Sequence, residues 1–449
     1  MLPTRLLESL EGVKGFDRKL FEAAHEPGKQ VTSIRLNPFK PFAGHPDWQT
    51  QKVSWCPYGL YLAERPSFTL DPVFHAGAYY VQEASSMFLW HVLSQAVDKD
   101  SAHKVLDLCA APGGKSTLLA SYFTNGLVVS NEVIKQRANV LVENLTKWGT
   151  GNVIVTNNDP SHFQSLPGYF DVMVVDAPCS GSGLFRKDPS AIEEWSEDNV
   201  QLCSQRQQRI LADALPVLKE NGILIYATCS YSPAEDEMIA DWLLAEMDME
   251  SLPVRIPEEW GITETLSPVH NAAGYRFYPG LLKGEGFFIA AFIKRSPPIH
   301  ARLKEQQLVQ ASRLEAAQVN NFLPLPADNV LFKQSDAIRT FPVEWFATLQ
   351  QLASVLYIKK AGVEIGAIKG KDVIPSHELA MSLLPLNGFA AIDVNKEEAL
   401  QYLRRKDLML NASPGWRLIR YDNIPLGWVK VLPNRVNNYY PAEWRILKG

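Results

Sequence analysis

Two cysteines stand where a reactive thiol would be useful: Cys179 in the loop Asp176-Ala-Pro-Cys179-Ser-Gly-Ser-Gly183, and Cys229 in Ala227-Thr228-Cys229-Ser230. Each closes a run rich in β-branched and aromatic residues, FDVMVVDA at 170–177 and GILIYATCS at 222–230. At the carboxyl ends of neighbouring strands the two thiols would face one crevice. An isolated buried cysteine is a small inert hydrophobe, and that reading serves for Cys56 and Cys203. A pair at strand ends has the access and the environment that covalent catalysis requires.

A third segment, Asp107-Leu-Cys109-Ala110-Ala111-Pro112-Gly113-Gly114-Lys115-Ser116, carries a strand through a glycine-rich turn into a helix. Such a turn lets a ligand approach the backbone at the electropositive helix N-terminus. Gly114-Lys115-Ser116 ends like a phosphate-binding P-loop, but Cys109 stands where that motif needs glycine, and the dinucleotide pattern G-x-G-x-x-G fails as well. An adenosyl ligand with little phosphate remains. Glu132, closing the next strand, is placed to hold both ribose hydroxyls. Asp159 and Asp176 close the third and fourth strands. Any one of these acids is equally well a loop cap. Their recurrence after successive strands marks the sheet edge where open α/β folds bind ligands.

The elements that must position these groups are short strands at 104–110, 127–133, 152–158, 170–177 and 222–230, separated by helical patterns such as 134–148 and 199–218. This alternation predicts an α/β fold: a Rossmann-like, mostly parallel sheet covered by helices. After a helix at 235–246, segments near 275–278 and 286–294 predict an antiparallel hairpin at a sheet edge. Four regions follow: a small α/β lead-in domain at 1–100, the core at 101–297, a linker and small connecting domain at 298–389, and a tail at 390–449 built from short strands such as WRLIRY and GWVKVL.

Composition bounds the possibilities. A chain of 449 residues holds about three units at roughly 150 residues each. With 46% hydrophobic and 21% charged residues it is neither a disordered nor a fibrous chain. Its longest strongly apolar run, 287–293, falls far short of the roughly 20 residues that span a bilayer, and the N-terminus offers no continuous apolar stretch of the secretory kind. No membrane association is expected. Five cysteines without a C-x-x-C pair support neither a zinc site nor a disulfide framework, so free thiols, no metal and a cytoplasmic location are expected. The net charge of −5 hides an asymmetry: residues 401–449 carry nine Lys/Arg against three acids.

DLCAAPGGKS, DAPCSGSG and ATCSYSPAED, in this order, resemble the glycine-rich and two cysteine motifs of the Sun/Fmu family of RNA cytosine-5 methyltransferases. SIRLNPFK (33–40) and YYVQEASSMF (79–88) resemble the family's segments before the core. IPSHELA and YYPAEWR are similar to its bacterial branch represented by ribosomal small subunit RNA methyltransferase F, which ends in a PUA-like RNA-binding domain. The resemblance covers almost the whole chain and is weakest at 300–340. It implies that Cys109, Ala110, Ala111, Pro112, Gly113, Gly114, Lys115, Glu132, Asp159 and Asp176 bind S-adenosyl-L-methionine, that Cys229 is the nucleophile, and that Cys179 assists product release.

The implied chemistry gives both thiols work. Carbon 5 of cytosine is a poor nucleophile until a thiolate adds at carbon 6, the step assigned to Cys229. Asp176 can hydrogen-bond the ring nitrogen beside the amino group. The substrate implied is RNA, 16S ribosomal RNA or the small subunit, met as an unpaired or flipped cytosine. Arg35 and Asn37 in the lead-in region, and Lys430 and Arg435 among the tail's Trp416, Trp428, Tyr439, Tyr440 and Trp444, are the candidate RNA contacts. Alternatives stay open: transfer RNA as substrate, or a non-catalytic RNA-binding assembly factor. A DNA cytosine-5 methyltransferase places its nucleophile in the Pro-Cys loop, and Thr228-Cys229 argues against it.

Overall fold

The computed structural model describes residues 2–42, 44–297 and 303–447. The 297/298 boundary abuts residues 298–302, and the tail cation Lys448 is likewise outside the described residues.

Strands Lys104–Asp107 (β1), Leu127–Asn131 (β2), Val153–Thr156 (β3), Phe170–Asp176 (β4) and Leu218–Thr228 (β5) run parallel in the order β3-β2-β1-β4-β5. Their apolar runs are continuous because both faces are covered. Val105, Val128, Val153 and Val172 pack into one apolar layer, while Leu106, Val129, Ile154 and Met173 pack into the other. Crossovers include helices Gly114–Tyr122 (α1), Lys135–Trp148 (α2) and Glu197–Ala214 (α3). Ser196 caps α3 by accepting the Asn199 N–H at 3.1 Å, and α2 stops at Gly149, whose φ of 95° ends a helix without strain.

The chain leaves β1 toward β2 and β3 on one side and reaches β4 on the other. The strand order therefore reverses between β1 and β4, which opens a crevice beyond their carboxyl ends. After helix Glu237–Glu246 (α4), strands Thr263–Leu266 (β6), Ala273–Phe277 (β7) and Phe287–Lys294 (β8) extend the sheet antiparallel from β5 in the order β5-β8-β7-β6. The expected hairpin is β7–β8, with β6 added outside it. At the opposite edge Ile358–Ala361 (β9) pairs antiparallel with β3, an addition the alternation of core strands does not foretell.

Three four-stranded sheets surround this core. The first holds Thr32–Leu36, Thr50–Lys52, Gly59–Leu62 and Tyr79–Tyr80; the second Asn329–Gln334, Ala337–Pro342, Val363–Lys369 and Asp372–Pro375; the third Ala391–Asp393, Gly415–Tyr421, Ile424–Leu432 and Arg435–Asn438. Among the described residues no helix is long and apolar enough to cross a membrane, and no group of three or more His, Cys, Asp or Glu is arranged to hold a metal ion.

Candidate active site

The loop after β4 is shaped by glycine. Gly183 donates its N–H to the Cys229 carbonyl at 2.8 Å, and a Cβ there would lie 2.4 Å from the Gly286 carbonyl oxygen and 2.7 Å from that of Cys229. Only glycine lets the loop press onto the end of β5. The consequence is that Cys179 Sγ lies 2.9 Å from Cys229 Sγ, both as free thiols. The hydrogen bond with Cys229, together with burial, pushes the Cys179 thiol well up.

Beside the thiols, a cavity of about 430 Å³ is lined by Cys109, Ala111, Glu132, Asp159, Asp176, Cys179 and Cys229, with Val133 and Ile134 on its wall. A second, of about 370 Å³, is lined by Ala110, Pro112, Gly114, Lys115, Tyr80 and Phe287. The two meet at Cys109, Ala111, Asp176 and Cys229, which line both. Of the glycine-rich turn, only Gly113 lines neither; its φ of 115° makes the turn that starts α1.

The charged groups are individually braced. Lys115 Nζ donates to Asp176 Oδ2 at 2.7 Å and lies 5.1 Å from the centre of the Phe287 ring. Glu132 is buried; its Oε1 accepts the Ile134 N–H at 2.9 Å, and its Oε2 lies 3.4 Å from Arg137. Asp159 accepts the N–H and hydroxyl of Ser161 at 3.0 and 2.7 Å, and these bonds hold its carboxyl below the usual range. Beneath the turn Asp107 is fully buried, and burial pushes its carboxyl up to about 7 against the opposing hydrogen bond from Ser116 at 2.6 Å. Among the described residues its Oδ1 has no hydrogen-bond partner. Burial likewise pushes the Cys109 thiol up, so it is an inert wall.

Comparison with known proteins places this geometry. A family model described as 16S rRNA methyltransferase RsmB/F matches residues 94–293, one for the N-terminal domain of 16S rRNA methyltransferase RsmF matches 2–84, and one for the methyltransferase RsmF PUA domain matches 389–446. The ribosomal RNA small subunit methyltransferase F of Aliivibrio fischeri is 30% identical over 436 residues, which cover 92% of this chain and 90% of the relative. The chain belongs to the ribosomal RNA small subunit methyltransferase F family. A Vibrio cholerae member is 29% identical over 440 residues, with the same two coverages of 92% and 90%. Among solved structures, a methyltransferase homolog protein from Pyrococcus horikoshii aligns with a TM-score of 0.53 at 29% identity, covering 65% of this chain and 100% of its own. NSun6 from Pyrococcus horikoshii with SFG shares the fold, with a TM-score of 0.55 at 19% identity over 66% of this chain and 98% of that one.

In this methyltransferase F relative the outer residues divide. Arg35 is fully buried and reaches no surface. It donates to Gln82 Oε1 at 2.8 Å, the Gly114 carbonyl at 3.2 Å and Thr117 Oγ1 at 2.5 Å, with its guanidinium 4.5 Å from the centre of the Trp148 ring. It braces the glycine-rich turn from behind. Asn37 is buried as well; its amide donates to the carbonyls of Gly77 at 2.9 Å and Trp148 at 3.0 Å. The expectation of RNA contact is corrected for both, because each side chain is buried among protein partners and, even with Arg35 Nη1 unpartnered among the described residues, neither reaches a surface. Lys430 is half-buried, 5.3 Å from the Trp416 ring centre, and Arg435 is exposed on the neighbouring strand. Trp428 and Tyr440 are core, whereas Tyr439 reaches solvent and packs edge-on to Trp416 at 4.6 Å.

Sequence reasoning missed Tyr80, Phe287 and Glu235. Tyr80 comes from the lead-in sheet and Phe287 from β8, and nothing local marks either. Glu235 follows Cys229 by six residues and had a signal: an acid in a Pro-containing turn directly after a reactive thiol.

Proposed function

We propose that this chain methylates carbon 5 of a cytosine in small-subunit ribosomal RNA, taking the methyl group from S-adenosyl-L-methionine and passing through a covalent bond between Cys229 and carbon 6 of the base. The observation that carries this reading is the junction of two cavities at Asp176 and Cys229, with a second thiol 2.9 Å from the first.

The residues present fit the cofactor. The first cavity has an apolar wall of Val133 and Ile134 for a base, the buried Glu132 carboxylate for ribose hydroxyls, and acids converging where a sulfonium would sit. When bound, S-adenosyl-L-methionine supplies an electrophilic methyl group. The glycine-rich turn stands between the cofactor and the second cavity, which takes the flipped cytosine on the side of Tyr80 and Phe287.

Cys229 adds to carbon 6. Cys179, kept protonated, donates its S–H toward Cys229 and favours the thiolate that attacks. Asp176, oriented by Lys115, accepts from the amino group and, when it carries a proton, donates it to the ring nitrogen, which gains negative charge as Cys229 adds. Once Cys229 is a neutral thioether, two influences raising Cys179 disappear, its hydrogen bond to Cys229 and the charge repulsion from that thiolate, while burial remains. Cys179 can then release its own proton to water and, as the thiolate, take the proton on carbon 5, directly or through water; removal of that proton expels Cys229.

The test is transfer of label from S-adenosyl-L-methionine to total RNA and to isolated small ribosomal subunits, with the label mapped to base and position. Wild type should label 5-methylcytosine in 16S RNA, Cys229→Ala should lose transfer, and Cys179→Ala should accumulate a denaturant-stable protein–RNA adduct. Full activity of Cys229→Ala would overturn the nucleophile, and label in transfer RNA alone would overturn the substrate.

A further inference from the structure

Glu235 makes an unusual set of contacts for a residue outside both cavities. One carboxylate oxygen accepts the Ser180 N–H at 2.8 Å and the Gln207 amide at 3.2 Å. The other accepts the hydroxyls of Ser180 at 2.5 Å and Ser230 at 2.6 Å. Ser180 directly follows Cys179, and Ser230 directly follows Cys229. The same Gln207 amide donates to the Pro178 carbonyl at 3.2 Å, just before Cys179. One buried carboxylate, fully enclosed, therefore ties together the two loops that carry the thiols. Burial, with no cation paired to it among the described residues, pushes it up, and the four donors oppose that push. A group kept in so costly a place for structure alone would be cheaper as an apolar side chain.

We propose that Glu235 is a positioning residue for both thiols: by clamping Ser180 and Ser230 it fixes the distance between Cys179 and Cys229. The inference rests on the reaction proposed above, which shows why the distance matters. Carbon 5 and carbon 6 are bonded neighbours, so a nucleophile at one and a proton acceptor at the other must themselves sit side by side. A carboxylate is suited to this because both its oxygens only accept, and Ser180, Ser230 and Gln207 all turn donors toward it. Glutamine in its place would turn an N–H toward one set, and the two hydroxyls could bond it only by reversing their direction.

Phenylarsine oxide tests the clamp without RNA or cofactor. It condenses with two adjacent thiols to form two As–S bonds and release one water, so capture reports how closely the sulfurs are held. Wild type should bind one equivalent, lost in Cys179→Ser. Glu235→Gln should bind about a hundredfold more weakly through loss of the preset dithiol geometry. The same variant should lower kcat for methyl transfer about a hundredfold while leaving the KM for S-adenosyl-L-methionine unchanged. Ser180→Ala and Ser230→Ala, small changes that keep the fold if Glu235→Gln does not, should each weaken capture and kcat in part. Unchanged capture and kcat in all three variants would overturn the clamp. Weakened arsenical capture in a protein whose wild type labels no RNA would uphold the clamp and overturn the methyltransferase reading alone.

Discussion

At the scale of single residues, the fate of a side chain here is decided by where its hydrogen bonds end. Arg35 spends three donors on Gln82, Gly114 and Thr117, two of them on α1 at the glycine-rich turn. Arg35→Met keeps the volume and removes the donors, leaving buried acceptors unmet. It should destabilise the protein by about 3 to 5 kcal/mol, seen as a lower urea midpoint. The folded fraction should bind RNA as wild type does; a variant stable to urea but weak for RNA would restore the contact role. The position also shows where sequence reading stops. The positions of the thiols, Glu132, Asp159 and Asp176 at one sheet edge were legible because each closes a strand or follows it within three residues, so local pattern fixes which edge it occupies. Arg35 also lies in a strand, but its partners are 47 to 82 residues away, and no local pattern distinguishes a buried cation with distant acceptors from an exposed one.

At the scale of elements, the lead-in region caps the core. Lys40 donates its ammonium to the Ala76 carbonyl at 2.8 Å and to the Lys147 carbonyl at 2.6 Å, beside the Asn37 bond to Trp148. Two residues of the lead-in thus satisfy the last carbonyls of α2, which a helix end leaves open. The cost is a fully enclosed lysine, and burial lowers its pKa to about 7 from an unfolded value of about 10.4. Between those values the unfolded chain binds the proton and the folded one does not, so this residue's contribution to stability rises with pH across that window and is flat below it. The difference between the urea midpoints of wild type and Lys40→Met, measured from about pH 6 to 10, should therefore shift in favour of wild type as pH rises. A constant difference would mean that Lys40 stays charged throughout. The core strands were legible for the reason that makes them stable: buried on both faces, they read as continuous apolar runs between turns. β9 was not. Its Ile-Lys-Lys-Ala stretch looks exposed, and only the pairing of buried Lys360 with Glu378 and the Gly362 carbonyl explains how an edge strand carries that charge inward.

At the scale of the whole molecule, β9 makes the core dependent on chain that follows it. Without residues beyond 297, the paired edge of β3 opposite Ile358, Lys360 and Ala361 would lie bare, an unprotected template for strand addition. A fragment ending at 297 should self-associate where the full chain does not, as read by light scattering; a monodisperse fragment would show that β9 is dispensable. The tail then divides into parts that hold it together and parts that face outward. Trp428 is fully buried and donates its indole N–H to the Ser376 carbonyl at 2.9 Å, so Trp428→Ala should cost about 3 to 5 kcal/mol of stability. Trp416 and Lys430 are paired opposite each other on neighbouring strands, with Tyr439 against the same indole. That arrangement offers a face for one unpaired base and a cation for its phosphate. Trp416→Ala should therefore weaken RNA binding by about 1 to 3 kcal/mol with little change in the urea midpoint. Lys430→Ala and Arg435→Ala should each reduce the slope of log affinity against log salt by about 0.7, because each would release one counterion fewer from a single strand. If Trp416→Ala lowers stability as Trp428→Ala does and leaves RNA affinity alone, both indoles belong to the domain's core, and the nucleic acid is held by another face.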